Sequence, residues 1–175
     1  MLAPVHTERL DLVLMPISLL DAFIAGDRAA VRQIAGYRIP SGFPGGGALG
    51  LMRFRREQLA REPSRSPWLL RAIVLRKTRT MVGFVNFHGP PGSNDVGAPD
   101  AVELGWTVFP RHRRQGYATE TARALISWAR TTFGIRRFIS STTPRNAASL
   151  RVHDKLGFTR TGEIVDGEII FELRV

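Results

Sequence analysis

The basic segment Arg111–Glu120 constrains the fold of this chain most strongly, because it connects two different secondary structures. The residues before it alternate like a β-strand, and the apolar stripe over residues 118–133 is typical of a long amphipathic helix. Gly116 permits a tight turn, and the first amide groups of the helix would face that turn. With Arg113 and Arg114 beside it, the turn is predicted to bind a phosphate or pyrophosphate. Taken alone, the segment also fits an ordinary connection with solvated arginines.

Size and composition favour a single domain over residues 1–175. The chain is 43% hydrophobic and can bury a core without metal or disulfide bonds. It has no cysteine, which excludes disulfides, thiolate metal sites and a cysteine nucleophile. The first residues lack the basic head and apolar core of a secretion signal, and no window approaches about 18 apolar residues. We therefore expect a cytoplasmic protein without a membrane span.

The net charge of +10 would attract polyanions or a phosphate-rich cofactor. Nearly all of it is arginine, since Lys77 and Lys155 are the only lysines, and base composition of a genome can produce such a bias. A nucleic-acid-binding module using the arginines of residues 53–79 and 111–114 rests on charge alone. The sequence shows no reading helix or aromatic stacking platform for it, so we do not expect nucleic acid as a partner.

The remaining periodicities predict an α/β (α+β) fold. Helices are expected over residues 18–25, 28–35, 49–61, 118–133 and 146–156, the first of them capped by Ser18 or Asp21. Strands are expected over residues 7–14, 68–75, 81–87, 101–109, 136–141, 158–164 and 168–175. This order predicts a mixed, mostly antiparallel sheet of six to seven strands flanked by helices.

Two other patterns are rejected as sites. Residues 45–50 formally match a dinucleotide-binding fingerprint, but that motif requires a preceding strand, and Pro40 and Pro44 lie there instead. We expect a flexible loop. The four histidines lack metal-ligand spacing, so no metal site is expected.

A polar stripe lies on the helix predicted over residues 146–156. Asn146, Ser149 and His153 recur at intervals of three and four and share one helical face. The stripe formed by Ala148, Val152 and Leu156 is predicted to pack inward. The alternative is that Asn146 is an N-cap and that the other two polar residues are simply exposed.

Together these segments resemble the GNAT superfamily of acetyl-coenzyme A-dependent N-acetyltransferases. The resemblance covers nearly the whole chain, and the start and order of elements are similar to the branch that contains the ribosomal-protein N-terminal acetyltransferases. It is carried by Thr7-Glu-Arg-Leu10, Glu103-Leu-Gly-Trp106, Phe109-Pro110, Arg113-Arg-Gln-Gly-Tyr-Ala-Thr-Glu120, Asn146-Ala-Ala-Ser149 and Lys155-Leu-Gly-Phe158. The resemblance implies a sheet that is splayed at its central strand.

The resemblance also implies the activity, which is transfer of an acetyl group from acetyl-CoA to a primary amine by direct attack in a ternary complex. The amine would belong to a protein N-terminus or a small molecule. The turn would hold the pyrophosphate, the central strand would pair with the pantetheine arm, and Asn146 would contact that arm. The cofactor-binding residues implied in this way are Trp106, Thr107, Val108, Phe109, Arg113, Arg114, Gln115, Gly116, Tyr117, Ala118, Thr119, Asn146 and Ser149.

Catalytic roles follow from the same resemblance. Glu103 is the expected base, acting directly or through water. Many family members have a tyrosine as general acid where this chain has His153, which could substitute for it, and Ser149 is a second donor. The missing tyrosine leaves open a non-catalytic coenzyme A-binding sensor.

The acceptor site is expected among the early helices and loops, roughly residues 26–50. Tyr37 and Phe43 would form an apolar wall there, with Asn86 and His88 reaching in from a neighbouring strand. The acceptor itself stays open among protein N-termini, amino acids, polyamines and aminoglycosides, and a homodimer is an open possibility.

Overall fold

A computed structural model describes residues 3–175, which form eight strands, five α-helices and two short 3-10 helices. The strands are β1 Val5–His6, β2 Leu10–Leu14, β3 Arg71–Leu75, β4 Thr80–Phe87, β5 Ala101–Val108, β6 Arg137–Thr142, β7 Thr159–Val165 and β8 Glu168–Arg174. The helices are α1 Ile17–Ala25, α2 Arg28–Ala35, α3 Gly46–Arg61, α4 Tyr117–Phe133 and α5 Ala147–Leu156, with 3-10 turns at Pro63–Trp68 and Pro110–His112.

All eight strands belong to one sheet in the order β1-β2-β3-β4-β5-β6-β8-β7. Only the β5–β6 pair is parallel among these strands. The mixed, mostly antiparallel sheet is therefore confirmed, with one strand more than expected. The extra strand arises because the segment predicted as one strand over residues 7–14 turns back on itself. The Thr7 hydroxyl accepts the Leu10 N–H at 2.8 Å and closes the turn between β1 and β2.

Two helix starts differ from the prediction. Helix α1 begins at Ile17 behind Pro16, with no side-chain cap, so the expectation that Ser18 or Asp21 caps it is wrong. Pro16 is the N-cap in an extended conformation, and its carbonyl accepts the N–H groups of Leu19 and Leu20 at 2.9 and 3.1 Å. Helix α3 begins at Gly46, three residues before the predicted start, and absorbs most of the glycine-rich segment expected to be a loop.

The strand predicted over residues 68–75 is also shorter. Residues Pro63–Trp68 form a 3-10 turn, and β3 begins at Arg71. The difference arises because Leu69 donates its N–H back to the Ser66 carbonyl at 3.3 Å, which closes the turn before β3.

The sheet is covered on both faces. Helices α4 and α5 pack on one face, where the core includes Leu12, Val102 and Phe138. Helices α1, α2 and α3 pack on the other, where Leu20 and Met81 are buried. No helix within residues 3–175 is long and apolar enough to cross a membrane.

The central strands separate after a short stretch of pairing. Strand β6 pairs with β5 only from Ala101 to Glu103, although β5 continues to Val108 alongside β4. Phe109 donates its N–H to Val82 and the Glu103 carbonyl accepts from His88, both on the β4 side. Because these groups alternate along a strand, the amides of Trp106 and Val108 face the gap. The splay expected at the central strand is confirmed.

The N-terminal turn is attached to the start of α4 through Glu120. Its carboxylate accepts the Thr7 hydroxyl at 2.5 Å, the Arg9 N–H at 3.1 Å and Arg9 Nε at 2.7 Å. Burial alone would raise the pKa of Glu120, but these hydrogen bonds and the Arg9 charge outweigh it and lower the pKa below the ordinary 4.5. The stabilisation is therefore present above about pH 4.5 and is lost as the pH falls through the depressed native pKa.

The variant Glu120→Gln is expected to be less stable than the wild type by about 1–2 kcal/mol at pH 7, because charge-assisted hydrogen bonds are lost. The difference in unfolding free energy between the wild type and Glu120→Gln should be smaller at pH 3.5. Urea unfolding at the two pH values measures it, with Glu8→Gln, an exposed glutamate in the same turn, as control. An equal loss at both pH values would contradict the assignment.

Candidate functional site

A cleft of about 980 Å³ opens where β5 and β6 separate. Its walls are the end of β5, the basic turn, the start of α4 and one face of α5. The lining residues are Trp106, Thr107, Val108, Pro110, His112, Arg113, Arg114, Gly116, Tyr117, Ala118, Thr119, Asn146, Ala148, Ser149, Arg151, Val152 and Lys155.

The turn before α4 presents backbone N–H groups to this cleft. Arg114 and Gly116 both have left-handed backbone conformations, with φ of 60° and 81°. Glu120 is the first residue of α4 whose N–H reaches back into the helix, to the Gly116 carbonyl at 3.0 Å. Gly116 supplies no side-chain cap, so the amides of the first turn are available to an anion. The geometry of the predicted phosphate-binding turn is thus present.

Most of the residues predicted to bind the cofactor line this cleft, with two exceptions. Gln115 is not part of the lining, and Phe109 lines a different pocket. The sequence reasoning missed six residues of the wall, which are Pro110, His112, Ala148, Arg151, Val152 and Lys155. The spacing of Ala148, Arg151 and Lys155 along one helical face was a usable signal, and it adds two cations to the cleft.

The inward face of α5 was predicted correctly for Leu156 but incorrectly for Ala148 and Val152. Ala148 and Val152 line the cleft, while Leu150 and Leu156 pack against the core. The N-cap interpretation of Asn146 holds, since its side-chain oxygen accepts the Ser149 N–H at 3.2 Å. Asn146 also lines the cleft, where its amide nitrogen is the group that can still donate.

His153 does not face the cleft, so its predicted position beside Ser149 on the exposed face is wrong. The side chain is fully buried and stacks on Phe171 with ring centroids 4.1 Å apart. Nδ1 lies 2.8 Å from the Ser149 carbonyl oxygen and therefore carries the proton, and Nε2 lies 3.0 Å from Ser140 Oγ. Burial lowers the pKa of His153. With both nitrogens bonded and no access to the cleft, the imidazole holds α5 on the sheet.

A polar cavity of about 310 Å³ continues from the cleft through the gap between the strands. Trp106, Asn146 and Ser149 line both spaces. Beyond them the cavity is lined by His88, Asp95, Leu104, Gly105, Ser140, Ser141, Thr142 and Glu168. This passage connects the two faces of the sheet, with acidic side chains at the end away from the basic turn.

Glu103 lies behind this cavity and not in its wall. Its side chain is 1% exposed, and one oxygen accepts the Asp95 N–H at 2.8 Å and lies 3.4 Å from His88 Nδ1. Burial would raise the pKa of Glu103, but the bonds from His88, Asp95 and Ser141 together lower it. Direct contact between this carboxylate and a substrate, one of the two expected modes, is therefore not available.

A second, apolar pocket of about 720 Å³ joins the cleft at Thr107. Aromatic rings form its floor, with the Phe43 centroid 5.3 Å from that of Phe109 and 6.0 Å from that of Phe84. Phe43 is where the acceptor wall was predicted. Two other predicted acceptor residues are misplaced, because Tyr37 and Asn86 are buried and line neither pocket.

The fold also brings together three potential metal ligands that the sequence did not suggest. Ligand atoms of His88, Asp95 and Glu103 lie within 4.8 Å of one another. The β4–β5 pairing and the loop between those strands produce this cluster, so spacing along the chain could not reveal it.

Comparisons with known proteins agree with this geometry. The sequence profile of the family described as "Acetyltransferase (GNAT) domain" matches residues 11–159. The uncharacterised N-acetyltransferase YjdG of Bacillus subtilis is 29% identical over 153 residues, which are 87% of this chain and 88% of that protein.

Two solved structures share the fold across almost the whole chain. The ribosomal-protein-S5-alanine acetyltransferase of Vibrio fischeri is similar with a TM-score of 0.63 at 16% identity, covering 97% of this chain and 94% of that one. The microcin C7 self-immunity acetyltransferase MccE, in complex with acetyl-CoA and AMP, gives the same TM-score, identity and coverage. Because the family profile spans most of the sequence and the fold agrees along its length, this chain belongs to the GNAT acetyltransferase family.

Proposed function

We propose that this protein transfers an acetyl group from acetyl-CoA to a primary amine by direct attack in a ternary complex. One observation carries the proposal: the gap between β5 and β6 joins a cleft with an anion-binding helix start to an acidic cavity on the other face of the sheet. Donor and acceptor could therefore enter from opposite sides and meet in the gap. The absence of cysteine excludes a cysteinyl acyl-enzyme.

The donor would lie along the cleft from the turn to the gap. The first amides of α4, with Arg113 and Arg114, would hold the pyrophosphate. The pantetheine arm would follow the free edge of β5, pairing with the amides of Trp106 and Val108, and Asn146 would donate from the opposite wall. The Val108 amide would be the candidate to stabilise negative charge on the thioester oxygen.

Ser149 would assist departure of the coenzyme. Ser149 lines both the cleft and the polar cavity, which supports a position of its hydroxyl where the thioester would meet the amine. A hydrogen bond to the departing sulfur would lower the cost of its developing charge. His153, which bonds the Ser149 carbonyl from inside the core, would position that turn of α5 and would not donate a proton.

The acceptor would combine an ammonium group with an adjacent apolar group. Asp95 and Glu168 line the polar cavity and would attract the ammonium. The aromatic pocket opens at Thr107, two residues from Gly105 on the same face of β5 and therefore about 7 Å away. This arrangement favours the N-terminal amine of a peptide with an apolar side chain, in agreement with the protein acceptor named for the Vibrio fischeri structure.

An acceptor panel tests the function. Purified protein with acetyl-CoA is incubated with peptides that begin with alanine, methionine, phenylalanine or lysine, with a polyamine and with an aminoglycoside, and free thiol release is measured. We expect turnover with the apolar-start peptides and at least about tenfold less with the polycations, which the +10 chain would repel.

Two results would contradict the proposal. Acetyl-CoA binding in a thermal-shift assay with no turnover on any amine would favour a coenzyme A-binding sensor. Stabilisation by duplex DNA at moderate salt, with no response to acetyl-CoA, would favour a nucleic-acid-binding role.

A further inference from the structure

His88 is fixed on both sides where it follows β4. Its N–H donates to the Glu103 carbonyl at 2.8 Å, and its own carbonyl accepts from Arg55 Nη1 at 2.8 Å. Arg55 is itself buried and also donates to Gln58, so it acts as a rigid support from α3. The imidazole therefore projects from an anchored backbone into the polar cavity that it lines.

The ring orientation is set by Glu103. His88 Nδ1 lies 3.4 Å from Glu103 Oε2, and because a carboxylate can only accept, this contact favours the neutral tautomer with the proton on Nδ1. The lone pair is then on Nε2. That atom lies over Gly105, 3.7 Å from where a Cβ would stand. Gly105 is on β5 just beyond its last pairing with β6, so Nε2 faces the point where the two substrates would meet.

From this geometry we infer that His88 Nε2 accepts the proton of the amine, and that Glu103 is a positioning residue acting through His88 Nδ1. The inference rests on the function proposed above. The His88 side chain is 33% exposed, whereas that of Glu103 is 1% exposed. The bonds that lower the pKa of Glu103 make it a weak base at neutral pH, whereas a neutral imidazole protonated on Nδ1 offers the Nε2 lone pair as a proton acceptor.

The proton balance is complete with these groups. Neutral His88 takes one proton from the ammonium, and the imidazolium formed pairs with Glu103. The amine nitrogen attacks the thioester carbon, a C–N bond forms and the C–S bond breaks. The proton that the nitrogen loses on becoming an amide ends on the departing sulfur. His88 returns the first proton to solvent, so each ammonium acetylated releases one proton.

The charged groups around His88 favour this cycle. Glu103 faces it from β5, Asp95 from the loop between β4 and β5, and Glu168 from the start of β8. Arg55 contacts only its carbonyl. Carboxylates from three elements therefore surround the ring, and Arg65 lies beside the neighbouring Gly89.

The decisive experiment is the pH dependence of kcat/KM from pH 5.5 to 9.5, with a peptide acceptor from the panel. His88→Asn keeps a donor toward Glu103 but removes the base. We expect it to lower kcat/KM about 100-fold at pH 7 and progressively less as the pH approaches the pKa of the amine itself. KM for acetyl-CoA should stay within about twofold. His6→Asn, at an exposed histidine that lines none of the three pockets, is the matched control and should match the wild type.

Glu103→Gln separates the two roles. If Glu103 positions His88, this variant should keep the acid limb of the wild-type profile, with a lower kcat/KM because the ring is no longer oriented by the carboxylate. If Glu103 is itself the base, the pH profile of kcat/KM should lose its acid limb in Glu103→Gln. The profile of His88→Asn should keep that limb. That result would overturn the inference. Unchanged activity after EDTA dialysis is also expected, and loss restored by Zn²⁺ would assign the cluster to a metal instead.

A readout independent of turnover separates this inference from the proposed function. Nitrogen NMR of the resting protein should show neutral His88 protonated on Nδ1 and titrating on Nε2, with that signal absent from His88→Asn. Neutral His88 protonated on Nε2 would overturn the inference even if acetylation is observed. If the acceptor panel gives no turnover but the Nδ1 tautomer is found, the proposed function fails while the Glu103–His88 geometry stands.

Discussion

Replacing Ala118 by aspartate is expected to weaken acetyl-CoA binding at least about 100-fold without destabilising the fold. Ala118 lines the cleft in the first turn of α4, where the proposed pyrophosphate site needs free amides and no negative charge. An aspartate there would repel the phosphates and compete for the amides, and lost charge-assisted hydrogen bonds of this kind cost several kcal/mol together. The same carboxylate is favourable at a helix start, so the melting temperature should be unchanged or slightly higher.

A matched control exists in the same molecule. Ala147 occupies the first turn of α5, is exposed and is not part of the cleft lining. Ala147→Asp should leave acetyl-CoA binding within about twofold, since it adds the same charge at a helix start outside the cleft. Isothermal titration with acetyl-CoA and thermal unfolding measure both variants. Equal binding by the two variants would remove the pyrophosphate assignment, and a large loss of stability in Ala118→Asp would remove the electrostatic explanation.

Replacing His153 by leucine is expected to cost about 2–4 kcal/mol of stability at pH 7, while kcat falls less than about tenfold. The substitution leaves the buried Ser140 hydroxyl without its imidazole partner, which costs about 1–3 kcal/mol, and it also removes the bond to the Ser149 carbonyl and the stacking on Phe171. A general acid would behave differently, because its loss lowers kcat about 100-fold or more with little effect on stability.

The pH dependence of stability gives a second test of His153. Burial lowers the native pKa below the ordinary 6.5, so the unfolded chain takes up a proton at a higher pH than the native protein does. Wild-type stability should therefore decrease as the pH falls from about 6.5 toward the depressed native pKa. His153→Leu lacks this contribution, and the difference between the two proteins should narrow from pH 7 to pH 5. Urea unfolding of both proteins between pH 7 and pH 5 measures it. A constant difference would contradict a neutral buried imidazole.

The secondary structure was largely readable from local patterns. The long helix after the basic turn, the ending of α5 at Gly157 and the order of elements all follow from periodicity and capping signals. The errors lie where a turn interrupts a strand-like pattern, as at Thr7, or where proline replaces a side-chain cap, as at Pro16. In both places a contact between close neighbours along the chain decided the boundary, and hydrophobic alternation does not report it.

The candidate site also combines features that are local in sequence with features that depend on contacts between distant residues. The anion-binding turn is a local structure, since Gly116 and the amides of α4 are consecutive in sequence. The burial of His153 is not local, because it depends on Phe171 and Ser140 meeting α5 across the sheet. Helical spacing alone predicted that His153 and Ser149 lie on the same face of α5. In the structure only Ser149 lines the cleft.

The sequence by itself determined the anion-binding side of the cleft: a strand, the basic turn Arg111–Glu120 and an amphipathic helix, whose geometry is fixed by residues next to one another. The tertiary structure alone decided the arrangement on the other side of the gap. Glu103 and His88 are 15 positions apart and become one unit only because β4 pairs with β5. The gap through which the substrates would meet likewise exists only because β6 leaves β5 after Glu103. Both depend on strand register, which long-range packing sets.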